Sequence, residues 1–267
     1  MKIQYLSDLH LGRNYSNEKV LGYILNNKPD ADVLVIAGDT ACISSLIGIE
    51  KCNDFALKTF ITWCSNNFKT TIIVPGNHEF YDRTEMSPYL NGVNTEIAKN
   101  VHIVSNSIIN VDDVYFVCST LWSNVAKDNE PYVDSRMNDC RLINYYSKRF
   151  TASKFQYAHA ECKDFLTKAF TMLDRKNVPS CKTVVVTHHC PLLACENPEH
   201  VGGCLSSAFI ADDMEDLIQA FSPAYWVYGH THYNCDVSFG DTHVVSNQLG
   251  YSDKESERFN FDKFFYI

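Results

Sequence analysis

Five short apolar runs in this chain each end on side chains that can ligate a metal. This recurrence narrows the possible folds more than any other feature. "IQYLS" leads to Asp8-Leu9-His10, "VLVIA" to Gly38-Asp39, and "TIIVP" to Gly76-Asn77-His78-Glu79. "TVVVT" leads to His188-His189, and "YWVY" to Gly229-His230-Thr231-His232. Short runs rich in β-branched residues read as strands. In open α/β sheets, ligands bind outside the carboxyl ends of the strands. Three of the clusters carry a glycine just before the polar residue, which permits a tight turn and a close backbone approach. His230 and His232 stand two residues apart, so in extended chain both project to one side. They could grip one object or two neighbouring ones.

The strands expected are 2–6, 32–37, 70–74, 114–118, 182–187 and 225–228, with further candidates at 101–104, 235–239, 242–246 and 263–267. The clearest helical pattern covers 153–175, with Phe155, Ala158, Cys162, Phe165, Leu166, Ala169, Phe170 and Leu173 on one face and Ser153 and Gln156 as a capping box. Helices are also expected over 51–67 and over 211–221, the latter with acidic residues in its first turn, where the helix dipole favours them. Strands alternate with helices and then crowd together near the C-terminus. That order indicates a layered α/β protein with mixed sheets. No repeat, low-complexity tract or linker interrupts it, so residues 1–267 read as a single domain.

The donors collected at the strand ends are Asp8, His10, Asp39, Asn77, His188, His230 and His232. Carboxylate, amide oxygen and imidazole suit divalent Mn, Fe, Zn or Co. Seven ligands exceed what one ion takes. Two ions about 3.5–4 Å apart that share a carboxylate would fit, the arrangement used for in-line displacement at phosphorus. His230 and His232 would then serve different ions. Each cluster alone is weak: DxH occurs by chance, GD is common at turns, and GNH can be a turn with a surface histidine. All five in this order, each after a strand, are not explained that way.

Composition removes other classes. The net charge of -9 argues against a general grip on nucleic-acid backbone, which needs a basic surface. It leaves room for a small anionic substrate held by local metal charge. Eleven cysteines, an odd number without a CxxC pair, point to reduced thiols rather than a disulfide framework. No run of about 18 apolar residues suggests a membrane span. The N-terminus lacks a small-residue cleavage site, and cleavage there would remove Asp8 and His10. These points favour a cytoplasmic protein without membrane partners.

The succession D-x-H, GD, GNH[DE], H and GHxH across residues 8–232 resembles the calcineurin-like metallophosphoesterase superfamily. So do "STLWS" (119–123), "MNDCRLI" (137–143), "THHCP" (187–191) and the tail "NQLGYSDKESERFNFDKFFYI", which resembles the end of small stand-alone members. The resemblance implies a four-layer αββα sandwich of two mixed β-sheets flanked by helices. It implies a first metal on Asp8, His10, Asp39 and His232, and a second on Asp39, Asn77, His188 and His230. It also implies a catalytic role for His78. The activity implied is hydrolysis of a small phosphorylated substrate. A metal-activated hydroxide would attack phosphorus in line, and His78 would protonate the leaving oxygen or stabilise the transition state.

The serine/threonine protein phosphatases of that superfamily carry GDxxDRG. Here the segment is Gly38-Asp39-Thr40-Ala41-Cys42-Ile43-Ser44, so Cys42 replaces the dyad aspartate and the arginine is absent. A small phosphomonoester or phosphodiester is therefore the expected substrate. Some members of the fold have lost ligands and act as non-catalytic interaction scaffolds, but here all seven donors and His78 are present. Arg13, His189, Arg136, Asn138 and Arg141 are candidate substrate contacts, and Glu79 is expected to orient the GNH turn. The stretch 188–204 reads as a specificity loop. Its spacing Cys190-x4-Cys195-x8-Cys204 matches no standard zinc site that would hold an additional ion.

Overall fold

In the computed structural model, which describes residues Met1–Ile267, the apolar runs assemble into two six-stranded sheets. Elements are numbered in chain order. The first sheet has the order β14-β1-β2-β3-β5-β4. Its strands are β1 (Lys2–Leu6), β2 (Val33–Ala37), β3 (Thr70–Val74), β4 (Val93–Ala98), β5 (Val101–Ser105) and β14 (Phe264–Tyr266). The second has the order β12-β13-β11-β10-β7-β6. It is built from β6 (Ser107–Val111), β7 (Val114–Ser119), β10 (Thr183–Thr187), β11 (Tyr225–Tyr228), β12 (Asp236–Phe239) and β13 (Thr242–Ser246). In each sheet the central strands run parallel and both edge strands run antiparallel. β8 (Asn144–Tyr145) and β9 (Lys148–Arg149) form a separate two-stranded ribbon.

Alternation along each strand explains the layers. Ile3, Tyr5, Val33, Val35, Ile72 and Val74 from one sheet share an apolar layer with Phe116, Cys118, Val184, Val186, Val227 and Val245 from the other. The residues between them, such as Leu34, Ile36, Ile73, Val117, Val185 and Trp226, point outward into the core beneath the helices. Both faces of the central strands are thus covered, which is why they read as unbroken apolar runs. α3 (Phe55–Asn67) covers β3, β4 and β5, with α1 (Asn14–Ile24) packed against it, and α7 (Ala152–Arg175) packs on β7. Shorter helices α2 (Ile43–Ile47), α4 (Ser87–Leu90), α5 (Glu130–Arg136), α6 (Asp139–Leu142) and α8 (Glu215–Phe221) complete an α/β sandwich of two mixed sheets flanked by helices.

The ten expected strands all form, with ends displaced by at most one residue. β4 and β6 were not anticipated: they are edge strands whose partly polar residues are, apart from Val111, exposed or half-exposed, so they lack the buried apolar signature. Two helix starts shift. α3 begins at Phe55 because Asp54 caps it, its side chain accepting the Leu57 N–H at 3.0 Å. α8 begins at Glu215 because Asp213 is drawn away by His159 at 2.8 Å and Lys163 at 2.5 Å. α7 spans the expected stretch, but the Ser153/Gln156 capping box does not form. Asp134 of α5 accepts the Ala152 N–H at 2.8 Å, while the Gln156 amide donates to the Val125 carbonyl at 2.8 Å. A carboxylate from another helix has taken over the work of a local cap.

The register brings the strand ends level. Leu6 lies beside Ile36 and Ile36 beside Ile73 in one sheet, and Val186 lies beside Val227 in the other. The loops that follow β1, β2, β3, β10 and β11 therefore emerge together. No helix is long and apolar enough to cross a membrane.

Candidate metal centre

The five loops turn their donors inward through unusual backbone. Asp8, His10, Asp39, His230 and His232 have φ of 54°, 45°, 56°, 74° and 48°. Non-glycine residues adopt this left-handed region rarely, because Cβ crowds the backbone. Such conformations persist where the surroundings enforce them, typically at functional sites. The neighbouring glycines supply room. A Cβ on Gly38 would stand 2.1 Å from His188 Nδ1, one on Gly76 2.2 Å from Asp39 Oδ1, and one on Gly229 2.6 Å from Asp8 Oδ2. We expect Gly76→Ala to leave the far-UV circular dichroism unchanged while lowering the bound metal per chain, measured by atomic emission. An unchanged metal content would mean that Asp39 can yield without cost.

Three groups of side chains bring ligand atoms within 4.8 Å of one another: Asp8, His10 and His232; His10, Asp39 and His78; and Asp39, His188 and His230. In the first, His232 Nε2 lies 3.1 Å from His10 Nε2 and 3.3 Å from Asp8 Oδ1. In the last, His188 Nε2 lies 3.1 Å from Asn77 Oδ1 and 3.3 Å from Asp39 Oδ1. Asp39 joins the groups, because its other oxygen, Oδ2, is 3.8 Å from His10 Nε2. Its two oxygens thus face histidines of different groups.

A further set of contacts orients these donors. His188 Nδ1 donates to the Ala37 carbonyl at 2.9 Å, and His232 Nδ1 donates to Glu255 Oε2 at 2.7 Å. Both rings thereby turn Nε2 toward the site. The Asn77 amide nitrogen donates to the Tyr81 hydroxyl at 3.1 Å, and that hydroxyl donates to Asp139 Oδ2 at 3.1 Å. Asn77 must then present its oxygen to His188. Glu79 accepts the main-chain N–H groups of Asp39, Thr40, Ala41 and Gly76 at 2.7–3.3 Å, tying the GD and GN turns together. Gln248 Oε1 accepts the His232 N–H at 2.6 Å.

These bonds leave a group of acceptors facing one another. His188 Nε2, Asn77 Oδ1 and Asp39 Oδ1 are all acceptors once their partners are counted, yet they crowd together in a buried site. His230 Nε2 and His10 Nδ1 are buried with no hydrogen-bond partner. Burial, then the charges of Glu79 and Asp8, push the Asp39 carboxyl well above the usual carboxylate range. Burial and neighbouring histidines hold His10 and His230 well below the usual imidazole range. Burial also acts to lower His232, but its bonds to Asp8 and Glu255 prevail and raise it to about 9. The neutral rings of His10 and His230 keep lone pairs free for a cation, and positive charge placed here would relieve the buried Asp39 carboxylate and take the place of a proton at His232. The donor set is consistent with a binuclear centre of divalent cations.

A cavity of about 670 Å³ opens over this cluster. Asp39, Asn77, His78, His230 and His232 line its base, and Arg136 and Asn138 also line it. The other expected substrate contacts do not. The Arg141 guanidinium binds the Ser135 carbonyl. His189 is fully buried against His230, with ring centroids 4.2 Å apart. Arg13 sits over the Tyr251 ring, 4.3 Å from its centroid. Cys42 touches the His78 carbonyl at 3.9 Å, and burial pushes its thiol up to about 11, so it supplies no dyad carboxylate. Cys190 and Cys195 are buried, Cys204 meets Arg136 at 3.5 Å, and none of the three metal-competent groups includes a cysteine. Tyr81, Asp139, Gln248, Tyr251 and Glu255 were not singled out from sequence. Asp139 lies within "MNDCRLI" and the last three within the tail, so family resemblance marked their segments without marking the residues.

A family model described as calcineurin-like phosphoesterase matches residues 1–234. An uncharacterized protein of Acanthamoeba polyphaga mimivirus is 27% identical over 286 aligned positions, which cover 99% of this chain and 95% of the viral one. Among solved structures, the phosphopantetheinyl hydrolase of Mycobacterium tuberculosis superposes with a TM-score of 0.62 at 16% identity, covering 96% of this chain and 92% of that one. At that identity the likeness is one of fold.

Proposed function

The chain belongs to the calcineurin-like phosphoesterase family, and on that premise we propose that it is a binuclear metal-dependent hydrolase of a small phosphomonoester or phosphodiester. The observation that carries this reading is Asp39, whose Oδ1 and Oδ2 face His188 and His10 at 3.3 and 3.8 Å. Asp8, His10, Asp39 and His232 would hold one cation, and Asp39, Asn77, His188 and His230 the other. When bound, two such cations supply Lewis acidity to phosphoryl oxygens and lower the pKa of water to about 7.

The chain's own residues do the rest. Asp39 would be fixed in place for both cations, because Glu79 and the His78 N–H, which Asp39 Oδ1 accepts at 2.9 Å, lock its loop and side chain. His78 Nε2 stands 3.9 Å from Asp39 Oδ2 and faces the cavity. Burial, then the charges of His188 and Arg13, push His78 down to about 3, so the resting ring is neutral. It acts as an N–H donor to negative charge developing on the leaving oxygen. Arg136 and Asn138 are placed to contact the remainder of the substrate. The cavity falls in the range of small-molecule sites, about 300–1,000 Å³, which supports a small substrate over a phosphoprotein. A single domain over residues 1–267 and a cytoplasmic setting complete the reading, the latter supported by cysteines that remain free thiols.

The test is hydrolysis of a p-nitrophenyl monoester and a bis-p-nitrophenyl diester by metal-stripped protein reloaded with Mn. Metal-dependent turnover is expected, and the preferred ester distinguishes monoesterase from diesterase. Failure to bind two metals would move the protein to the scaffold class.

A further inference from the structure

Tyr251 lies beyond the stretch that matches the family model, which ends at residue 234, yet its ring stands over the metal-competent cluster. Its hydroxyl is 3.0 Å from His78 Nε2. The ring centroid is 4.3 Å from that of His10 and 4.5 Å from that of His232, and the Arg13 guanidinium lies over the ring at 4.3 Å. The main chain is held as firmly. The Tyr251 N–H donates to Glu255 Oε2 at 2.7 Å, and that same oxygen accepts His232 Nδ1–H. The turn before it needs glycine: Gly250 has φ of 71°, and a Cβ there would stand 2.4 Å from Glu255 Oε2. A phenol that only filled space would need neither this anchoring nor a polar target for its hydroxyl.

The His78 ring is packed on two sides, by the Tyr81 ring at 4.1 Å and the His10 ring at 4.6 Å between centroids, which limits its tilt but does not fix which ring edge faces the cavity. Torsions that end in a flat ring are soft. The Tyr251 hydroxyl supplies the missing restraint, because it hydrogen-bonds Nε2 and not the carbon edge. We propose that Tyr251 is the positioning residue of His78: at rest its hydroxyl oxygen accepts the Nε2–H, which keeps that N–H edge turned toward the Asp39 side of the cavity, where a leaving oxygen would take the hydroxyl's place as acceptor. This rests on the reading of His78 as that donor.

Tyr251→Phe tests it, since the ring, its contacts with His10 and Arg13, and the main-chain bond to Glu255 are all kept. With Mn-loaded enzyme, kcat for a phenyl ester falls about tenfold, the scale of one lost hydrogen bond, with KM within about twofold. The loss is smaller for a p-nitrophenyl ester, whose leaving oxygen needs less help. In a His78→Ala background the same substitution costs nothing further, because the ring it positions is gone. Bound metal stays at the wild-type content. An additive loss in that background, or an unchanged kcat, overturns the proposal. A second readout does not need turnover. In protein incubated with Zn, the ¹⁵N resonance of His78 Nε2 shifts in Tyr251→Phe. That shift in a protein that hydrolyses neither ester and retains no metal would sustain the positioning contact and sink the hydrolase reading. An unmoved resonance would sink the contact whatever the activity.

Discussion

Asp39→Asn is expected to lower metal-dependent turnover by about 10²–10³-fold, the scale on which removal of a centrally placed electrostatic group acts, and to cut bound metal to one ion or none. The substitution preserves shape. The asparagine oxygen can still accept the His78 N–H that Asp39 Oδ1 accepts at 2.9 Å. Its amide NH₂ then faces His10 Nε2, which lies 3.8 Å from Oδ2 in the native site. An NH₂ group offers no lone pair to a cation, and one negative charge is gone. Metal content by atomic emission together with ester hydrolysis checks this; two retained metals with near-native turnover would show that Asp39 is not shared.

The metal-free proteins should rank the other way. Burial, then the charges of Glu79 and Asp8, hold the Asp39 pKa well above its ordinary value. An acid whose folded pKa is raised destabilises the fold at pH above its unfolded value, where the unfolded chain ionises freely, and not below it. Stripped of metal at neutral pH, Asp39→Asn should therefore melt higher than the wild type. The gap should close as pH falls below the ordinary carboxylate range. Thermal melts of chelated protein across pH measure it.

His78→Ala separates chemistry from metal binding. Its ring belongs to a cluster with His10 and Asp39, but Asp8, His10 and His232 make one group and Asp39, His188 and His230 another without it. The main-chain N–H that binds Asp39 remains in alanine. Both metals should therefore stay, while kcat drops about 10²–10⁴-fold, the usual contribution of a positioned proton donor. Steady-state kinetics on the phenyl ester, with metal content measured on the same sample, decide it. Unchanged kcat would remove His78 from the mechanism, and loss of a metal would make it a ligand.

Much of this was legible beforehand because buried parallel strands advertise themselves. "VLVIA" and "TVVVT" are apolar on both faces, since one face meets the opposite sheet and the other meets the helices. Edge strands β4 and β6 and the shorter helices carry no such signal. The donors were legible for a related reason: carboxylates and imidazoles following apolar runs have little reason to be buried unless something compensates them. The capping box of α7 was misread because a local pattern competes with tertiary partners. Asp134 reached the helix start first.

Residue order alone determined the inventory: the strands, the donor types at their ends, and the glycines that leave them space. Only the tertiary structure decided the arrangement. His10 and His232 meet at 3.1 Å although 222 positions separate them. Asp39 faces both groups because of the register between β1, β2 and β3. Tyr251, Gln248 and Glu255 enter the site from a polar tail whose composition resembles any surface loop. The physical reason is the range of the interactions. Burial and backbone preference act over a few neighbouring residues and leave a periodic trace in the chain. A hydrogen bond between a tyrosine and a histidine 173 positions away depends on how two sheets stack, and it leaves none.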